Sequence, residues 1–280
     1  MAPRIAIATC SELPELAESE PMLLGALRAR GVEAVPAVWD DPTVDWGTFD
    51  LVVIRSTWDY AGRRDEFVSW AARVPRLLNR ADVVRWNTDK RYLADLPHAV
   101  ATELVGPGDA WDPPAAEYVV KPTVSAGSRD TARYRPGEEA RARAHLAGLH
   151  AAGRTAMVQP YLSAVDDHGE TGVIFFGGVY SHAIRKGQML RPGVAPTDGL
   201  YLEEDISARE PDPVERAVAE EILDGLPWPR AELLYARVDL IRDHAGEPRL
   251  IELELTEPSL FFDCSEGAAD RLSEQVLQRL

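Results

Sequence analysis

The chain has 280 residues, 45% of them hydrophobic, and 46 Asp and Glu against 30 Lys and Arg give a formal net charge of −16. That length supports two or three compact lobes with a substantial core, and the acidic balance argues against nucleic acid as the main partner, because phosphate neutralisation needs a basic surface. Cys10 and Cys264 show no metal-site spacing and leave at most one disulfide, and no apolar run makes a signal peptide or a membrane span of ~20 residues, so a cytoplasmic protein is expected.

Arg4 to Thr9 is a short apolar run bounded by Pro3 and Cys10, and reads as a buried strand. Pro21 to Arg30 carries Leu23, Leu24 and Leu27 at helical spacing, and Gly31 ends it. Val32 to Val38 and Asp50 to Ile54 are further strands. Strand, helix, strand, loop, strand predicts a parallel α/β layer.

Arg55-Ser56-Thr57-Trp58-Asp59-Tyr60 follows the third strand directly. Ligands of open parallel sheets bind at the carboxyl ends of strands, so this cluster is a candidate substrate site. The alternative is an ordinary βα loop. Arg55 favours the site, because a charge beside an apolar run is costly without a partner. Glu66 to Val74 reads as a helix with Phe67, Trp70 and Val74 on one side.

Asn87-Thr88-Asp89 are capping residues before a helix start at Lys90. A cation in a first turn is not favoured by the helix dipole, so Lys90 is either a surface lysine or one that faces an anion. Gly106 to Pro114 reads as a connector. Glu117 to Lys121 is a strand, and Thr123 to Asp130 is a small-residue loop that can wrap phosphates with its N–H groups. A strand continues to Tyr134. Neither a Walker A motif nor a dinucleotide fingerprint is present.

Glu138 to Ala152 is a helix, and Ala156 to Pro160 a strand running into Tyr161-Leu162. Glu170 to Phe176 and Val179 to Lys186 flank Gly177-Gly178, a hairpin signal. Counting outward from that turn sets Glu170 opposite Arg185, either as a structural ion pair or with Arg185-Lys186 as an anion clamp. Met189 to Asp205 reads as a long loop of the kind that forms lids. Pro213 to Leu223 is a helix, and Ser265 to Leu280 closes the chain with Leu272, Val276 and Leu280 in one row.

Tyr235 to Pro258 reads as two strands joined near Ala245-Gly246. Alternation puts Arg237 and Asp239 on one face, with Glu252 and Glu254 on the matching face of the return strand and Ile251, Leu253 and Leu255 opposite. Asp239 then lies across from Glu252. Like charges across a ladder repel, so either this is a solvated edge hairpin or the acids hold a hard cation such as Mg²⁺.

Lys90, Lys121 before the small-residue loop, Gln159 to Leu162, Arg185 after the Gly-Gly hairpin, Arg237-x-Asp239 and Glu252-x-Glu254 occur in that order. The order resembles the ATP-grasp superfamily. At finer grain, residues 55–60, 84–90, 181–187 and 252–254 are similar to the group containing D-cycloserine synthetase.

The resemblance implies an α/β (α+β) ATP-grasp fold: an amino-terminal parallel α/β lobe (1–88), a central lobe with the glycine loop (89–157) and a carboxy-terminal lobe with the metal hairpin (158–280). Lys90 and Lys121 would hold ATP phosphates, under a loop in which Ser125 and Gly127 approach them. Gln159, Tyr161 and Leu162 would meet the adenine, and Asp166 or Asp167 the ribose. Asp239, Glu252 and Glu254 would bind two Mg²⁺ ions, although the family usually has Glu-x-Asn where this chain has Glu252-Leu253-Glu254. Arg185 and Arg237 would act on the transferring phosphoryl group. The implied activity is ATP-dependent activation of a small amino-acid carboxylate for attack by an amine, including ring closure. The alternatives are another amino acid, a regulatory nucleotide-binding protein, or a two-carboxylate hydrolase. A homodimer is the expectation from base rate.

Overall fold

The computed structural model describes residues 2–17, 19–188, 190 and 205–280. The first layer contains β1 (Arg4–Thr9), α1 (Pro21–Ala29), β2 (Glu33–Val38), β3 (Leu51–Ser56), α2 (Arg64–Arg73) and β4 (Leu77–Leu78). Its strands run in the order β2-β1-β3-β4, all parallel, as the alternation of strand and helix predicts. β3 extends to Ser56, so Arg55 and Ser56 belong to the strand and not to the loop after it. Next come α3 (Ala81–Asn87) and a single 3-10 turn from Lys90 to Ala94. The capping residues before Lys90 therefore start one turn and not a full helix, with the Asp89 carboxylate accepting from the Arg91 N–H.

The second layer contains β5 (Glu103–Val105), β6 (Tyr118–Pro122), β7 (Ala132–Tyr134), α4 (Glu139–Ala151) and β8 (Ala156–Pro160), in the antiparallel order β5-β8-β6-β7. The third contains β9 (Glu170–Phe176), β10 (Val179–Lys186), β11 (Ile206–Arg209), α5 (Pro213–Asp224), β12 (Tyr235–Arg242), β13 (Pro248–Glu254) and α6 (Ala268–Leu277). Its order is β11-β10-β9-β12-β13. Gly177 and Gly178 both take positive φ in the β9–β10 turn, the conformation a two-residue hairpin needs. Asp212 and Glu215 form a capping box that starts α5.

One core joins the first and third layers. It brings Ile5, Leu23, Leu27 and Val53 against Ile174, Phe176, Leu272 and Val276. Leu280, expected in the buried row of the last helix, lies beyond α6 and is exposed. The second layer has its own core under α4, with Val120, Leu146, Leu149 and Val158. Among the described residues no helix is long and apolar enough to cross a membrane. Both cysteines are free thiols, which closes the disulfide left open by the sequence.

The loop expected over Met189 to Asp205 lies, apart from Leu190 and Asp205, outside the described residues. The strands β4, β5 and β11 and the helix α3 carry too little pattern to have been read in advance.

Candidate active site

The edges of the second and third layers enclose a cleft lined from both sides. Lys90, Lys121, Ser125, Gly127, Gln159, Tyr161 and Leu162 line it from the second layer and its entry turn. Glu170, Lys186, Arg237, Glu252 and Glu254 line it from the third.

Lys90 Nζ donates to the Ser125 carbonyl at 2.8 Å and to its hydroxyl at 3.0 Å, and lies 2.9 Å from Glu252. It thereby ties the small-residue loop to the acidic hairpin. Gly127 in that loop has φ +58, a backbone shape that costs glycine little. Lys121 is 7% exposed and makes no hydrogen bond or ion pair with any described residue. Burial lowers its pKa, with Lys90 and Lys186 adding to the effect and Glu252 and Glu170 opposing it. A buried ammonium without a direct partner, facing a cleft, is suited to an anionic ligand.

At the other end, Gln159 donates from Nε2 to Thr102 at 2.9 Å, and its Oε1 is buried without a partner. Tyr161 donates to Asp166, and the Arg133 guanidinium stacks 3.4 Å from the Tyr161 ring centre. Asp166 stands beside the cleft and also accepts from Gln188 and Arg133.

The acidic hairpin has the expected register: Asp239 opposes Glu252, and Arg237 opposes Glu254. A bulge between Asp239 and Leu240 leaves Ile251 as an extra residue. Ile251 is therefore turned to the cleft with the acids, a correction to strict alternation, while Leu250 and Leu253 enter the core. Asp239 is enclosed: Arg237 reaches it at 2.8 and 2.9 Å and Lys186 at 2.6 Å. Gly172 opposes Asp239 on β9, and a Cβ there would stand 2.9 Å from Ile184 and 3.1 Å from the Asp239 carboxylate. Only a glycine leaves room for this packing.

Asn87, Tyr92 and Asn79 hold the strand that carries the acids. Asn87 donates to the Leu253 carbonyl at 2.7 Å and accepts from the Leu255 N–H at 2.8 Å. The Tyr92 hydroxyl donates to the Leu253 carbonyl at 2.7 Å, and Asn79 to the Leu255 carbonyl at 2.7 Å. Beyond Leu250, which pairs with the backbone of residues 98–100, the free edge of β13 is bonded by side chains in place of another strand.

The Arg185 assignment needs correction. The β9–β10 ladder slips at Tyr180 to His182, so Glu170 opposes Lys186 and Thr171 opposes Arg185. One residue of slip exchanges the faces of the two cations. Lys186 enters the cleft, whereas Arg185 donates to the His168 carbonyl at 3.0 Å and pairs with Asp205. The expected substrate cluster is also placed differently. Arg55 is buried in an ion pair with Glu20, Ser56 accepts from the Ala17 N–H, Thr57 has an unpartnered buried hydroxyl, and Asp59 accepts from Trp39. None of them lines the cleft. Trp58 donates to the Glu257 carbonyl at 3.0 Å, and Tyr60 is buried without lining the cleft.

Among the described residues no three Asp, Glu, His or Cys side chains converge as a preformed metal cage. Arg237, Lys186 and Lys90 take up the carboxylate oxygens instead. The donor chemistry still fits hard divalent ions, which take carboxylate oxygens. Burial pushes the Glu254 carboxyl up to about 7; Glu252 and Asp239 add to the rise and Arg237 opposes it. The arginine leaves this face short of positive charge, as a site that receives a cation with its anionic ligand would be.

Three comparisons with known proteins agree. A family model described as "D-cycloserine synthetase DcsG, N-terminal domain" matches residues 5–79. The "Cycloserine biosynthesis protein DcsG" of Streptomyces lavendulae is 42% identical over 284 residues, covering 93% of each chain. The crystal structure of D-cycloserine synthetase DcsG superposes with a TM-score of 0.87 at 39% identity and 99% coverage of both chains. The D-alanine–D-alanine ligase of Bacillus anthracis, in a complex with ATP, shares the fold with a TM-score of 0.64 at 12% identity, covering 99% of this chain and 97% of that one.

Proposed function

Since the chain belongs to the D-cycloserine synthetase family of ATP-grasp ligases, we propose that it activates the carboxylate of a small amino acid with ATP and closes it onto an amine of the same molecule, O-ureido-D-serine being the candidate substrate. It is an ATP-dependent ligase that forms carbon–nitrogen bonds. The observation that carries the nucleotide reading is Lys121, a buried ammonium with no direct partner among the described residues, beside a small-residue loop.

In this reading Lys121 and Lys90 receive the phosphates, and the Ser125–Gly127 backbone covers them. Gln159, Tyr161 and Leu162 form the adenine end, with Asp166 at the ribose. Lys186 and Arg237 leave part of their hold on Asp239 and Glu254 to meet the transferring phosphoryl group. Asp239, Glu252 and Glu254 would hold Mg²⁺, two ions in the full site, which when bound neutralises phosphate oxygens and keeps the reactants in line. A substrate carboxylate oxygen bonds to the γ-phosphorus as the bridging oxygen–phosphorus bond breaks and ADP leaves. In O-ureido-D-serine the nucleophile is the oxygen-bound ureido nitrogen. It attacks the acyl carbon, loses its proton and displaces inorganic phosphate, and its carbamoyl group leaves with water as carbon dioxide and ammonia. The docked loop keeps water from the acyl phosphate.

The three sheets support lobes over 1–88, 89–157 and 158–280, and the acidic surface suits a cytoplasmic enzyme, homodimeric by base rate, whose partner is a small molecule. The test is ADP release with Mg²⁺ across a panel of amino acids. ADP formation confined to one substrate class is the expected result. Tight ATP binding with no ADP from any candidate would sink the ligase reading in favour of a regulatory protein.

A further inference from the structure

Gln159 pairs with Val119 of β6, and Met157, two residues earlier on β8, pairs with Lys121. Side chains alternate along a strand, so Gln159 shares a face of the second sheet with Val119 and Lys121, and all three line the cleft. Beside Val119 the lining is apolar, with Leu162, Ile241 and Ile251. Gln159 brings an amide to this apolar end, and the side chain is 2% exposed.

A glutamine amide carries both a donor and an acceptor, and either can be turned to a given side. A short chain of hydrogen bonds decides the matter here. The Thr102 hydroxyl donates to the Val100 carbonyl at 2.8 Å, and that carbonyl accepts from no other described residue. The single hydroxyl proton is thereby committed, and the Thr102 oxygen is left to accept. It accepts from Gln159 Nε2 at 2.9 Å. Turning the amide over would draw that proton away from Val100 and strand its carbonyl. Oε1 is therefore fixed on the other branch of the amide, shut off from solvent and accepting from no described residue. A buried acceptor without a donor is costly, and on a residue that lines a cleft the cost is relieved when a ligand brings the donor.

We propose that Thr102, which does not itself line the cleft, is a positioning residue that sets the polarity of the Gln159 amide. The cleft then takes a nucleotide whose base carries an amino group at its edge and turns away one with a carbonyl there; this rests on the nucleotide reading above. Adenine has an exocyclic amino group where hypoxanthine has a carbonyl oxygen. A carbonyl set against Oε1 leaves two acceptors face to face and neither satisfied. Sites built to pair with one polar group reject analogues lacking it more strongly than apolar pockets reject a change of size. Tyr161 does not supply the missing donor, because its hydroxyl is committed to Asp166.

The test is a ratio of two affinities. ADP and inosine diphosphate are titrated by calorimetry into the full chain with Mg²⁺. The wild-type protein is expected to hold ADP about thirtyfold or more tighter than inosine diphosphate. Thr102→Val keeps the shape, frees the amide to turn, and is expected to bring the ratio to within about fivefold. Thr102→Ser keeps the hydroxyl and is expected to hold the ratio within about twofold of the wild-type value. A loss in Thr102→Val that is equal for both nucleotides would mark a merely structural role and overturn the assignment. A wild-type ratio below about threefold would do the same. Binding of neither nucleotide would remove the nucleotide reading itself, and ADP release in the wild-type protein reports separately on the ligase reading.

Discussion

Lys186 Nζ lies 2.6 Å from the Asp239 carboxylate, and both side chains are almost wholly buried. The neighbouring Arg185 points the other way by strand alternation, and the one-residue slip of the β9–β10 ladder decides that Lys186, not Arg185, faces the cleft. Lys186→Met is expected to lower turnover by about a hundredfold or more, the scale of losing one charge from a phosphoryl-transfer site. Arg185→Met should cost less than about fivefold. Steady-state ADP release distinguishes them, and the reverse ranking would mean that the cleft assignment is wrong.

Asp239 and Glu252 face each other at the centre of the acidic ladder. Asp239→Asn and Glu252→Gln should each abolish turnover, while the protein still unfolds cooperatively. Glu254→Gln should raise the Mg²⁺ concentration for half-maximal activity by about tenfold or more. Magnesium titrations check this; unchanged turnover in the first two variants would remove the metal assignment.

Asn87 replaces a neighbouring strand for Leu253 and Leu255. Asn87→Ala leaves a buried carbonyl with one donor fewer and a buried N–H with none, at a cost of about 2–4 kcal/mol. Asn87→Asp sets a carboxylate oxygen against the Leu253 carbonyl and buries a charge beside the acids of β13, so it should cost at least as much. Denaturant unfolding measures both, and a loss below about 1 kcal/mol for Asn87→Ala would show that the edge is held by other contacts.

His182 gives a pH test. Its ring is buried, hydrogen-bonded to the Leu260 carbonyl and to Ser181, and burial lowers its pKa from 6.5 to about 4. The unfolded chain therefore binds the proton more tightly. Its contribution is fully present above pH 6.5 and is lost as pH falls towards 4, amounting to about 3 kcal/mol. His182→Gln should flatten the difference in unfolding free energy between pH 7 and pH 4.5. Parallel curves for the two proteins would rule out this histidine as the source.

Much of the fold was legible because its signals are local. The apolar runs at β1, β3, β9 and β10 and the Gly177-Gly178 turn declare themselves over a few residues. Asp239 does face Glu252, but only because the bulge intervenes: the turn by itself sets Asp239 opposite Ile251. The two bulges were not legible. Each inserts one residue, at Ser181 and at Ile251, without a local sequence signal, and each reverses the facing of the residues beyond it. That is why Arg185 stood in for Lys186. The candidate substrate loop was misread for a different reason: the partner that Arg55 needs is Glu20, thirty-five residues earlier and visible only in three dimensions.

The division of the cores has a mechanical consequence. The first and third layers share one interior and are riveted by Asn79, Arg55 and Tyr235, whereas the sheet of β5 to β8 has an interior of its own. Breathing of the cleft is then expected as a swing of that sheet, with Lys121 as a passenger, against a block that carries Asp239 and on which Ala126 of the small-residue loop packs. Amide exchange should show the shared interior protected as one unit and the swinging sheet opening earlier; uniform protection across all three layers would contradict this division of labour.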